Sequence, residues 1–289
     1  MAPSTRQQYH QVLKQCQAFI KDVLQQSSQL PFNQDQINYY IAHLHSKKYK
    51  CSTIASHMAA LSHHHKISGL QDPTASYKTA KLLTGVRKTQ SNPPDARQPI
   101  TQKILQGLIA ALHPNTSSQY DRYLYASLFS LMYYACLRAS EVLYTDTPQH
   151  MLHMSHLVTH TNSYQLCFKS YKHSTSDRNV LYIVPTGKSD CPVFHLSNYL
   201  KLRGVTPGPI FLSKGAPVTR HQFTYVLNQC LKYLQIPSLH YNTHSFRIGR
   251  TTDLALADVP HSTIQHLGRW KSNAYTKYIR PQYMSTNPI

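Results

Sequence analysis

Across residues 1–90, apolar positions recur at spacings of three and four, the period of a helix with one buried face. Val12, Cys16, Phe19, Ile20 and Val23 form such a stripe over 5–26. Pro31 and Asn33 interrupt the pattern, and Ile37, Tyr40, Ile41 and Leu44 resume it over 34–46. Ile54, Met58 and Leu61 mark a third helix running to His65, with Ser52 as its expected N-cap. Pro73 opens a fourth over 74–88, with Tyr77, Leu82 and Val86 on its apolar side. The stretch Thr89–Pro99 is polar, carries three prolines and has no period, which marks a boundary. The expected division is a helical domain at 1–88, a linker at 89–100 and a second domain at 101–289.

The second part opens with helical pattern over 101–112 and 120–134, the latter aromatic and buried in character. A short continuation over 141–144 follows a turn at Leu137–Arg138. The period then changes to two. Tyr164–Phe168 alternates and Asn179–Val184 is β-branched, with the polar run Lys169–Asp177 between them as a hairpin tip. Helices return over 191–202 and 219–234, then as shorter pieces over 245–256, 262–267 and 274–279. The expected fold class is mainly α: an all-α N-terminal domain and a mostly α domain with one small antiparallel β-sheet.

Composition narrows the partner. Hydrophobic residues make up 41% of the 289, enough for packed cores. The net charge is +19, a self-repelling excess that suits a polyanion. Residues 1–90 hold 11 Lys and Arg against 3 Asp, and the remainder holds 19 against 8 acidic residues, so both parts are basic. That distribution fits two regions gripping one double-stranded DNA better than a basic tail on a neutral enzyme. Lys47, Lys48, Lys50, Lys78, Lys81, Arg87 and Lys88 are the expected DNA-facing cations of the helical domain. The six cysteines are far apart and form no Cys-x-x-Cys pair, so neither a zinc ribbon nor a disulfide framework is indicated, and an intracellular, reducing setting is expected. No apolar run reaches the roughly 18 residues of a spanning helix, and no signal-peptide pattern opens the chain. A membrane is therefore not an expected partner.

The chemistry gathers near the end. His244-Ser-Phe-Arg247, Leu267-Gly-Arg-Trp270 and Tyr275-Thr-Lys-Tyr278-Ile-Arg280 place an imidazole, a guanidinium and a phenol close in sequence. Upstream stands Arg138-Ala-Ser-Glu141, which carries the only glutamate of the chain. A phosphodiester anion repels nucleophiles unless fixed cations neutralise it. Arginine does this with a planar fork that keeps its charge. Arg138 and Arg247 are the candidates, with Glu141, three residues on, able to orient Arg138. The same spacing also suits an ordinary surface ion pair. His244, at i and i+3 with Arg247, can accept a proton or bond a phosphate oxygen. The sole tryptophan, Trp270, offers an N–H donor or simply core bulk. Tyr278 is the candidate nucleophile and Tyr275 its rival. A phenol titrates near ~10, so either needs a base or a cationic field. Lys172, on the hairpin tip, can protonate a departing oxygen, with Lys169 its competitor.

The order Arg…Lys…His-x-x-Arg…(His or Trp)…Tyr resembles the tyrosine recombinase, or phage integrase-like, superfamily. The run Leu-Gly-Arg-Trp-Lys-Ser-Asn-Ala-Tyr-x-x-Tyr-Ile-Arg looks most like recombinases of eukaryotic mobile elements, the Crypton and DIRS/Ngaro-like groups. The resemblance implies catalytic roles for Arg138, Lys172, His244, Arg247, Trp270 and Tyr278. Gly268-Arg269-Trp270 stands where many members have Gly-His, so Arg269 and Trp270 are both eligible for that position. The implied reaction cuts and rejoins DNA through a 3′-phosphotyrosyl link, with neither cofactor nor metal. It also implies a homo-oligomer, a dimer on each site and a tetramer in synapsis, working in the nucleus. A type IB topoisomerase-like activity and a non-catalytic, domesticated DNA-binding protein are the alternatives.

Overall fold

The structure, a computed structural model, describes residues 1, 3–90, 95–146, 150–168 and 179–283. The chain packs as two compact units, residues 1–94 and 95–289.

Unit one holds four helices: α1 (Pro3–Asp22), α2 (Gln34–Ser46), α3 (Cys51–Ile67) and α4 (Tyr77–Thr89). Val12, Cys16, Phe19 and Ile20 of α1 meet Ile37, Tyr40, Ile41 and Leu44 of α2 and Ile54, Met58 and Leu61 of α3 in one core. The reading of α2 succeeds to the residue because two signals agree. Its apolar stripe begins where Asn33 and Gln36 form a reciprocal capping box.

Three local expectations fail, each for a physical reason. Ser52 does not cap α3. The helix starts two residues earlier than a Ser52 cap would place it, at Cys51 after an extended Lys50, and Gln90 Oε1 accepts from the Cys51 N–H at 2.6 Å. Val23 is exposed because α1 ends at Asp22. Tyr77 is 77% exposed, because Pro73–Ala75 forms a separate 3-10 turn and α4 begins afresh at its Ser76 cap.

Unit two is built around α6 (Gln119–Tyr134), buried continuously from Leu124 to Tyr133. It packs against α5 (Gln102–Asn115), α8 (Pro192–Arg203) and α10 (Thr243–Leu256). A three-stranded antiparallel sheet joins β1 (Leu157–Thr159), β2 (Tyr164–Phe168) and β3 (Asn179–Ile183), with Leu166 opposite Leu157 and Leu181. Alternation along β2 buries Tyr164, Leu166 and Phe168, as its sequence pattern predicts. The other α-helices and strands among the described residues are α7 (Ala139–Val142), a second, two-stranded ladder of β4 (Leu212–Ser213) and β5 (Ala216–Pro217), α9 (Arg220–Tyr233) and α11 (His261–Gly268). The last predicted helix, over 274–279, is a 3-10 segment, Asn273–Tyr278. The fold is mainly α with small antiparallel sheets. It differs from the sequence expectation in having a second ladder, two residues per strand, too short to leave a pattern.

A close approach sets the position of α10. The segment before α5 lies on it, with Ile100 N donating to Ser245 O at 2.9 Å. A Cβ on Gly249 would stand 1.8 Å from Ile100 O, so only glycine lets the two backbones meet.

Candidate active site

Asn242 caps α10 by accepting from His244 N at 2.8 Å, which fixes the first turn and sets His244 and Arg247 on one side. Arg247 is 1% exposed. Its Nη1 donates to Cys136 O and its Nη2 to Gly268 O at 3.2 Å. The guanidinium lies 4.5 Å from the Trp270 ring and 5.6 Å from the Tyr278 ring, close enough for cation–π attraction. Burial lowers its pKa, and Arg138 and Arg269 lower it further.

The chain leaves α6 through Cys136, whose φ of 45° is left-handed, and Arg138 then caps α7. Glu141, 1% exposed, accepts from Arg138 N at 2.7 Å and pairs with Arg138 Nη1 at 3.2 Å. Its second oxygen also takes Arg269 Nη2, at 2.6 Å. The one glutamate therefore sits between two arginines.

The turn after α11 decides which side chain enters the site. Arg269 is left-handed, at φ 55° and ψ 48°, and its side chain runs inward. There it also donates to the carbonyls of Ala135 at 3.3 Å, Leu267 at 3.3 Å and Cys136 at 3.4 Å, with the Phe168 ring 4.3 Å away. Trp270 turns the other way, over Arg247. A Cβ on Gly268 would come within 1.7 Å of the indole, so glycine is required there.

The Tyr278 ring lies 5.2 Å from Trp270 and 6.4 Å from the His244 ring, nearly parallel to the imidazole. The Thr252 hydroxyl is 3.2 Å from Tyr278 O and accepts from Arg280 N at 3.0 Å, which ties the 3-10 segment to α10. Arg280 also reaches Asp95 at 3.1 Å, and Asp95 holds Arg97 at 2.7 Å. Burial pushes His244 down to about 4, helped by Arg97, Arg247, Arg220 and Arg138, so the imidazole is neutral at pH 7. Tyr275 is 2% exposed and its hydroxyl bonds His261 Nδ1.

Arg138, Glu141, His244, Arg247, Arg269, Trp270 and Tyr278 thus converge. The hydroxyl of Tyr275 is engaged elsewhere. Lys172 and Lys169 lie outside the described residues. Lys47, Lys48, Lys50, Lys78, Lys81, Arg87 and Lys88 are all exposed on unit one. Sequence reasoning missed Asp95, Arg97, Arg220 and Thr252. The first two fall in the proline-rich stretch read as a linker, and the other two carry no motif. Among the described residues, no group of three His, Cys, Asp or Glu is placed to hold a metal ion, and no helix is long and apolar enough to cross a membrane.

Residues 98–284 match the phage integrase family, and the chain belongs to that family. Its structural neighbours are site-specific recombinases and integrases. The XerH site-specific recombinase, in a post-cleavage complex with palindromic difH substrate, shares 14% identity at a TM-score of 0.64, covering 90% of this chain and 72% of that one. The Tn1549 transposon integrase in complex with a circular intermediate DNA shares 14% identity at 0.64, covering 97% and 90%. A lambda integrase dimer bound to a COC′ core site shares 13% identity at 0.63, covering 100% and 75%. At these identities the likeness is one of fold. No curated protein matches the chain by sequence.

Proposed function

We propose that this protein is a site-specific DNA recombinase that cuts and rejoins DNA through a 3′-phosphotyrosyl intermediate. The observation that carries the reading is the packing of the Tyr278 ring beside both a buried guanidinium, Arg247, and a neutral imidazole, His244. Arg138 and Arg247 hold the non-bridging oxygens of the scissile phosphate. Tyr278 Oη attacks phosphorus, His244 takes the phenolic proton, and the bond to the 5′ oxygen breaks. Trp270 shields the link and can donate one hydrogen bond. The departing 5′ oxygen needs a proton, the role the family resemblance gives to Lys172. A 5′ hydroxyl from a partner duplex then attacks the phosphotyrosine and releases Tyr278. The phosphodiester bond energy stays in the covalent link, so the reaction calls for no nucleotide or metal.

Integration or excision of a mobile element is the role proposed for this activity. The Leu267–Arg280 run supports it through its likeness to Crypton and DIRS/Ngaro-like recombinases, which also suggests action in the nucleus. Exchange between two duplexes calls for four active sites, hence a dimer on each site and a tetramer in synapsis. The exposed lysines of unit one supply phosphate contacts that set affinity.

The test is a nicked duplex carrying the element's end sequence, incubated in EDTA with the protein or with Tyr278→Phe. A protease-sensitive, denaturant-stable adduct formed only by the unsubstituted protein is expected. Salt-sensitive binding with no adduct from either would overturn the catalytic reading and leave a DNA-binding protein. Relaxation of supercoiled plasmid without partner sites would replace it with a topoisomerase.

A further inference from the structure

Three arginines, Arg138, Arg247 and Arg269, surround one carboxylate, Glu141, which leaves two positive charges uncompensated among the described residues. Two of the three, Arg138 and Arg247, are assigned to the phosphate in the proposed reaction. Arg269 is not. Its side chain is fully buried, its backbone is left-handed, and both Nη atoms donate to protein oxygens. A buried guanidinium is costly to desolvate and is kept only where its partners hold it well.

Those partners are the groups that place the other two arginines. Through Glu141 Oε2, Arg269 fixes the carboxylate whose other oxygen pairs with Arg138. Through Cys136 O, it shares an acceptor with Arg247 Nη1. The left-handed Cys136 turns that carbonyl toward both guanidiniums. Bonds to Ala135 and Leu267 join the end of α6 to the end of α11. We infer that Arg269 is a positioning residue: from beneath the site, it holds Arg138 through Glu141 and Arg247 through the Cys136 carbonyl, without touching DNA itself. Trp270, not Arg269, then fills the position facing the phosphate. This inference rests on the recombinase reading above.

The test compares Arg269→Met, Arg269→Lys, Glu141→Gln and the double variant Arg269→Met with Glu141→Gln. Each is measured by the single-turnover rate of adduct formation on the nicked duplex, affinity for the uncleaved duplex, and thermal melting. A positioning role predicts a rate loss on the order of 10²-fold for Arg269→Met, the cost of misplaced groups, at unchanged duplex affinity. Arg269→Lys, which keeps the charge but not the fork, should recover part of the rate. The double variant should cleave no more slowly than the slower single. It should also melt above Glu141→Gln, which alone leaves Arg269 buried without its carboxylate.

Arg269→Met at the full rate, or loss of duplex affinity in step with rate, would overturn the inference, as would single-variant defects that multiply in the double. Should Arg269→Met fail to fold, the rate and affinity of Arg269→Lys give the same split. No adduct from the unsubstituted protein would overturn the recombinase reading and this inference together. Adduct formation that ignores residue 269 would overturn the inference alone.

Discussion

The two units carry similar excess charge in opposite ways. In unit one the cations are mostly lysines, and they lie on the surface. Their ion pairs, such as Lys78 with Asp35 at 3.4 Å and both partners 70% exposed, are worth little. In unit two the decisive cations are arginines taken out of water, stacked on Trp270, Tyr278 and Phe168 and tied to backbone carbonyls. Exposed lysines attract any polyanion by releasing its counterions. Buried arginines can receive only an anion of the right shape in the right place. The contrast separates affinity from chemistry, and substitutions should separate them too.

The sharpest break is Tyr278→Phe, which should abolish adduct formation while leaving duplex affinity intact. Tyr275→Phe should still form adduct, since that hydroxyl is bound to His261. An adduct from Tyr278→Phe would move the nucleophile elsewhere. Next comes Arg247→Lys. A point charge cannot reach both carbonyls and also stack, so cleavage should fall on the order of 10²–10³-fold, as when an oxyanion donor is lost.

Gly268→Ala should expel the indole from Arg247 at an overpacking cost of about 1–3 kcal/mol. Because Trp270 is the only tryptophan, a red shift in intrinsic fluorescence reports the change without any assay of cleavage. Replacing Lys47, Lys48 and Lys50 with Gln should leave the cleavage step alone and weaken binding evenly across sequences. Each lost phosphate contact should lower the salt slope by about 1.

The smallest effect concerns pH. Burial pushes His244 from its usual 6.5 down to about 4, so its neutral form persists as pH falls. The kcat/KM for cleavage should hold from pH 7 through 6.5 and fail only on approach to about 4. A limb centred at 6.5 would mean that the imidazole is solvated.

Much of this was legible beforehand because it depends on local chemistry. Helices with a stripe and a cap, such as α2, could be read almost residue by residue, and the chemical groups were marked by their rarity and order. What could not be read depends on contacts distant in sequence or on single torsions. The cap of α3 comes from Gln90. The left-handed Cys136 gives no sign in a run of apolar residues. Thr252 belongs to no motif, yet it ties the Tyr278 segment to α10. Arg269 and Trp270 were indistinguishable as neighbours in a string, because a single backbone turn sends one down and the other up.

That turn limits how the two side chains of this loop can be exchanged. The side of the layer a residue occupies is assigned by place in the loop, not by side-chain identity. Exchanging the arginine and the tryptophan would therefore not exchange their duties. It would drive an indole against Glu141 and leave a loose guanidinium over Arg247, two cations face to face. Drift between arginine and tryptophan here is closed to single steps. It would require the loop to change handedness first, at the αL residue, where a non-glycine side chain already costs about 1–2 kcal/mol.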